Sequence, residues 1–146
     1  MDAQPAANTP DIPFSRFEAT CARMKAVLPD ADVTGYQSLI PGFLLPDPDD
    51  RHVLAAAILG KASLIVTSNL KYFPAADLRQ YGFTSISPDD FQIRLYAVAP
   101  EALVASIQRA RQNLRKTVPS AKEFLAAIER QGLKRFSDIL AARRRT

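Results

Sequence analysis

At 146 residues, with 47% hydrophobic and 23% charged residues, the chain has the size and composition of one globular domain able to bury a core. Composition excludes several classes: one cysteine, Cys21, forbids an internal disulfide and a cysteine metal cluster, and the one histidine, His52, forbids a histidine cluster. The longest apolar stretches, such as Val53 to Leu59, fall far short of the ~20 residues that span a bilayer, and no basic-then-apolar signal opens the chain, so no membrane partner and a cytoplasmic location are expected.

Charge is uneven. From Arg109 to Thr146 there are 11 Lys and Arg against 3 Asp and Glu, a net of +8, which leaves −4 for the remainder of a chain whose total is +4. A basic distal segment suits a polyanionic partner, and it equally suits solvated helix faces. The Arg143-Arg144-Arg145 run reads as a frayed tail.

Residues 1–13 are rich in Ala, Pro and Asn without periodicity and are expected to be disordered. A helix is predicted from about Ser15 to Val27, marked by Phe17, Met24 and Val27, with Cys21 buried among its apolar residues. Asp32 to Tyr36 is a candidate strand, and the proline-broken PGFLLPDP is a loop. Behind Pro46 and Pro48, Asp47, Asp49 and Asp50 open a helix over 50–60 that carries Val53, Leu54, Ala57 and Ile58 on one face and ends at Gly60. A buried strand over 64–68 follows, with the apolar run Leu64-Ile65-Val66 giving way to Thr67-Ser68-Asn69. Pro74 to Tyr81 is a short helix stopped by Gly82, Phe83 to Ile86 a further strand, and Ser87-Pro88-Asp89-Asp90 a helix start with Ser87 as N-cap. Helices alternating with short strands imply a parallel sheet in an α/β layer.

After Pro100 the pattern is helical only. Leu103, Val104, Ile107, Ala110 and Leu114 form one apolar stripe. Thr117 to Ser120 breaks it, with Pro119 early in the next helix. That helix carries Phe124, Leu125 and Ile128 and stops at Gly132, and the last carries Phe136, Ile139 and Leu140.

Polar groups at strand carboxyl ends are where open α/β sheets place ligands, so the acids at 47–50 and the amide at Asn69 are candidates to converge on a metal. Over DPDDRHVLAAA and IVTSNLKYF the chain resembles the PIN domain, the nuclease fold of VapC-type toxins from bacterial toxin–antitoxin pairs. The resemblance runs from about Phe14 to the carboxy terminus. It implies a Rossmann-like parallel sheet with flanking helices over 14–99, followed by a helical subdomain over 100–146. It also implies a small endoribonuclease that holds Mg²⁺ or Mn²⁺ in a ring of three or four acids, acts on RNA and is restrained by an antitoxin. Asp50 matches the third acid and Asn69 the variable fourth position, with Thr67 beside it and Asp49 as a second possible metal ligand; Tyr72 stands where many members carry a further Asp.

Two features of the family are missing. Its opening apolar strand ending in Asp, and the following helix with an essential Glu, have no counterpart in MDAQPAANTPDIPF, which carries Pro5, Pro10 and Pro13. The resemblance therefore implies a truncated amino terminus and an incomplete site, inactive alone unless a separate chain or an oligomer completes it. A non-catalytic remnant that binds an antitoxin or other partner is the alternative, as is a nucleic-acid-binding tail in which SAKEFLAAIERQGLKRFSDIL forms a helix-turn-helix using Lys134 and Arg135.

Each candidate has a structural reading beside the functional one. Asp50 is a metal ligand or a first-turn helix acid, with Asp49 the better cap. Thr67 and Asn69 hold a ligand or satisfy a turn. Arg51 and Lys71 meet RNA phosphate or lie solvated, and His52 packs or caps rather than reacts. Tyr72 and Phe73 are simplest as core or rim aromatics.

Overall fold

The computed structural model describes residues 13–114 and 118–143. The expected disorder of residues 1–12, the break at Thr117 and the tail at Arg144-Arg145 lie outside them. The fold is mixed α/β and mostly helical: α1 (Phe14–Val27), α2 (Arg51–Leu59), β1 (Leu64–Val66), α3 (Ala75–Arg79), β2 (Thr84–Ile86), α4 (Pro88–Val98), α5 (Pro100–Gln112), α6 (Ala121–Arg130) and α7 (Lys134–Arg143). Short 3₁₀ turns at Pro29–Ala31, Gln37–Gly42, Pro48–Asp50 and Leu70–Tyr72 join them.

The chain divides into two compact units. One holds the described residues up to Phe43 together with Asp49–Lys61; the other holds Leu44–Pro48 and the described residues from Ala62 onward. This division falls elsewhere than the expected boundary at residue 100. The reason is packing: α4 lies against both α5 and α7, which binds the helical segment to the element before it.

In the first unit, α2 packs on the turn Gln37–Gly42, and Leu54 and Ala55 are fully buried. Gly60 ends α2 as expected, its N–H donating to Ala56 O at 2.8 Å. Its φ of −77° is ordinary, and the left-handed residue is Lys61 at +53°. Glycine is needed at 60 for space, because a Cβ there would lie 2.9 Å from Val33 Cγ2. That contact also explains why the candidate strand Asp32 to Tyr36 does not form. Val33 turns toward the end of α2, Asp32 pairs with Lys25 at 2.7 Å, and Gly35 adopts φ +79°, which breaks an extended run. α1 forms over the predicted residues yet buries none of them. Its apolar marks Phe17, Met24 and Val27 are exposed, and Cys21, expected in a core, is only half-buried beside a cavity of about 160 Å³.

In the second unit, β1 and β2 pair in parallel with Leu64, Ile65 and Val66 opposite Thr84, Ser85 and Ile86. The connection carries α3, so this is a βαβ unit reduced to three residues per strand. Among the described residues the sheet has these two strands alone. β1 ends at Val66, two residues short of expectation. Gly82 at φ +81° closes α3: its N–H reaches Arg79 O at 3.1 Å and the Phe83 N–H reaches Leu78 O at 3.2 Å, the paired bonds of a Schellman cap. Ile65, Phe73, Leu78, Phe83 and Ile86 are buried around this unit, and the Ser85 hydroxyl donates to Phe73 O.

The helices follow the predicted stripes in part: Leu103, Val104 and Ile107 are half-buried on α5, whereas Ala110 is exposed and Leu114 lies exposed past the helix end. Ser87 caps α4 by accepting the Asp90 N–H at 3.1 Å, with Pro88 at the first helical position. Pro119, expected inside α6, precedes its N-cap instead. Ser120 takes that position, accepting the Glu123 N–H at 3.3 Å while Glu123 accepts the Ser120 N–H at 2.8 Å. This reciprocal capping box was legible in the spacing Ser-Ala-Lys-Glu. Gly132 at φ +87° ends α6 with the same paired bonds as Gly82, to Glu129 O and Ile128 O. α7 then buries Phe136, Ser137 and Leu140.

Candidate functional site

The acidic segment enters α2 through the 3₁₀ turn Pro48–Asp50. Asp50 takes the N-cap position, but with φ −84° and ψ −5° its backbone is already helical. An N-cap side chain reaches its target from an extended residue, and Asp50 accordingly makes no cap hydrogen bond. Asp49, expected as the cap, lies inside the turn. Its carbonyl accepts from His52 Nδ1 at 2.6 Å. Because a carbonyl only accepts, Nδ1 carries the proton, and His52 braces the turn from an exposed position. Arg51 is half-buried, with Nε enclosed and without a partner among the described residues.

The strand end is built by a different bond. Thr67 accepts the Asn69 N–H on its hydroxyl at 3.1 Å, which is the turn-satisfying role of threonine. Asn69 is exposed, and the chain turns into the helical turn Leu70–Tyr72. Lys71 Nζ stands 4.6 Å from the centroid of the Tyr72 ring, a cation–π contact. Phe73 is core and Tyr72 half-buried, as expected for the aromatics.

Asp49, Asp50, Arg51 and His52 belong to one compact unit, and Thr67, Asn69, Lys71 and Tyr72 to the other. Among the described residues, no three Asp, Glu, His or Cys groups come together as a metal could require. Asp49 and Asp50, adjacent at the head of α2, are the carboxylates that would contribute oxygen ligands to Mg²⁺ or Mn²⁺, since Mg²⁺ is commonly held by one or two carboxylates together with several waters.

The remaining candidates, Lys134 and Arg135, open α7, and both are already engaged. Lys134 donates to both carboxylate oxygens of Asp138, at 3.1 and 3.2 Å, and pairs with Glu129 at 3.3 Å; Asp138 first and Glu129 second raise its pKa. The Arg135 guanidinium donates to Asp90. Asp90 is also held by the Ser87 hydroxyl at 2.8 Å, and these two partners, Ser87 foremost, hold its carboxyl below the ordinary range.

Sequence reasoning missed the residue that organises this corner. Asp89 accepts the Arg135 N–H at 3.2 Å and the Phe136 N–H at 2.9 Å, so a side chain of α4 caps α7 from 46 and 47 residues away. A weak signal existed: Leu133, just before α7, is no capping residue, which left the first N–H groups of α7 to water or to an acceptor from elsewhere in the chain. At the other end of α7, Arg143 donates to both oxygens of Glu101 at 2.6 Å. That contact lowers the Glu101 pKa and raises that of Arg143.

The segment that forms α4 to α7 coincides with a known family model. Residues 88–142 match the VapC50 C-terminal domain, and through this region the chain is similar to VapC-type proteins. A Mycobacterium tuberculosis relative, "Putative ribonuclease VapC50", is 48% identical over 58 residues, which are 38% of this chain and 34% of the relative. The chain thus aligns with about a third of that relative's length. No solved structure matches.

Proposed function

We propose that this VapC-like chain is part of a divalent-metal endoribonuclease whose acidic site is incomplete within its own residues. It cleaves RNA only when further carboxylates are supplied from outside them. The observation that carries this reading is the 48% identity, over 58 residues, to a protein named "Putative ribonuclease VapC50". DPDDRHVLAAA and IVTSNLKYF support it, with Asp50 as a metal ligand, Asp49 beside it and Asn69 with Thr67 at the strand end. The Asp50 carboxylate makes no cap hydrogen bond, which leaves it for a ligand role. Arg51 and Lys71 are the groups we assign to RNA phosphate, and an antitoxin is the expected partner in the cytoplasm. The helix-turn-helix alternative gains no support from geometry. A reading helix presents its first residues to the bases, whereas α7 opens against Asp89 and Asp90.

The test is cleavage of a structured RNA pool by the purified chain with Mg²⁺, Mn²⁺ or EDTA, beside Asp50→Ala. No metal-dependent cleavage is expected from the folded chain alone. Cleavage is expected on adding a complementing chain, and Asp50→Ala should abolish it. Metal-dependent cleavage by the lone chain, lost in Asp50→Ala, would overturn the incompleteness. Failure of every complement, with a small protein copurifying, would favour a non-catalytic partner-binding role.

A further inference from the structure

Among the described residues, the helical region leaves a cleft between α5 and α6 unfilled. α5 packs on α4, α4 on α7 and α7 on α6, and a cavity of about 340 Å³ lies between α5, α6 and α7. Val104, Ile107, Phe124, Leu125 and Leu140 line its apolar part. This explains an oddity of the stripes: α5 and α6 carry clear apolar faces, yet neither buries a residue fully. Apolar side chains of both helices line a space that the described residues do not occupy. At this volume the cleft is at the low end of ligand sites, which span roughly 300–1,000 Å³, with room for about ten water-sized groups.

Charge in the lining narrows the occupant. Arg111 and Arg143 both line the cleft. Arg143 is matched by the Glu101 carboxylate. Arg111 is not: it is half-buried and donates through one nitrogen to a neutral acceptor, Pro119 O, at 2.8 Å. No carboxylate among the described residues pairs with it. A guanidinium has five N–H donors in a fixed fork, so most of this one remains available to a planar anion. A half-buried cation beside an apolar hollow is complementary to a molecule with a short apolar body and one carboxylate.

We propose that the cleft between α5 and α6 is a binding site for a small amphipathic carboxylate, such as a medium-chain fatty acid. Its chain lies on Val104, Ile107, Phe124, Leu125 and Leu140, and its head is held by Arg111. The site is independent of the acids at Asp49 and Asp50 and of the ribonuclease reading.

The probe is decanoate, titrated below its micelle concentration into the full chain and followed by methyl NMR, with decanol as the uncharged control. We expect saturable shifts concentrated on the methyl groups of Val104, Ile107, Leu125 and Leu140, with decanol binding at least tenfold more weakly. Arg111→Met keeps the apolar stem and removes the charge, so it should lose that preference while decanol binding stays unchanged. Ile107→Trp should block both probes by filling the hollow. Three results would overturn the proposal: no saturable shift, equal binding of decanoate and decanol by the wild-type chain, or shifts spread evenly over methyl groups elsewhere. The wild-type titration decides the matter even where a variant fails to fold.

Discussion

Helices α1 and α7 are each amphipathic by sequence, and they meet opposite fates. α1 spans Phe14–Val27 and buries nothing; Phe14, Phe17, Met24, Val27 and Leu28 are all exposed. α7 is shorter, at Lys134–Arg143, but buries Phe136, Ser137 and Leu140 and is fixed at both ends by side chains of other helices. The Ser137 hydroxyl adds a bond to Leu125 O at 3.2 Å. Helix-forming residues in an amphipathic pattern make a helix; complementary neighbours for its faces and termini make it part of a core. Isolated helices of this length are marginal in water, so docking decides how firmly each is held.

The sharpest way to break this comparison is truncation of matched aromatics. Phe136→Ala should destabilise the chain by about 3–5 kcal/mol, because Phe136 is 2% exposed and its loss leaves a cavity. Phe17→Ala, at 41% exposure, should change stability by no more than about 0.5 kcal/mol. Thermal unfolding followed by circular dichroism measures both. Equal losses would mean that α1, like α7, is docked in solution.

A smaller effect tests the termini. Asp89→Ala removes the acceptor for two N–H groups at the start of α7 and should cost about 1–2 kcal/mol, the range of a lost helix cap. Asp89→Asn keeps an acceptor oxygen and should recover much of it. Amide hydrogen exchange in the first turn of α7 should rise in Asp89→Ala well before exchange in α6 does. If the two helices lose protection together, Asp89 holds the whole hairpin rather than one terminus.

The smallest effect is acid sensitivity. Ser87 and then Arg135 lower Asp90 from its ordinary 3.8, Arg143 lowers Glu101 from 4.5, and Ser120 lowers Glu123 from 4.5. In each case the unfolded chain takes up the proton first. The stability these contacts supply is therefore complete above the ordinary values and is lost as pH falls through the lowered ones. We expect the melting temperature to decline below about pH 4.5 and to decline less steeply in Asp90→Asn with Glu101→Gln. These groups are well solvated, so the difference should be modest and should shrink with added salt.

Local signals in the sequence were mostly sufficient where the structure they encode is local. The start of α4 was readable because Ser87, Pro88 and Asp90 lie within one turn, and the ends of α3 and α6 because Gly82 and Gly132 supply left-handed residues in place. The strand at Asp32 to Tyr36 was not, because a strand exists only with a partner and Val33 packs on Gly60 instead. The candidate site divides the same way. Local bonds settled the places of Asp49, His52, Thr67 and Asn69, while the roles of Lys134 and Arg135 depended on Asp90, Asp138 and Glu129.

By itself the sequence determined which segments become helices, where glycine and serine end or begin them, and the resemblance to VapC-type proteins. Those properties depend on residues within a few positions of one another. Only the tertiary structure decided that α1 stays uncovered, that Asp89 caps a helix 46 residues away, and that α5 and α6 leave a cleft with Arg111 at its edge. Each of these depends on what a side chain meets across space, and spacing along the chain does not encode it.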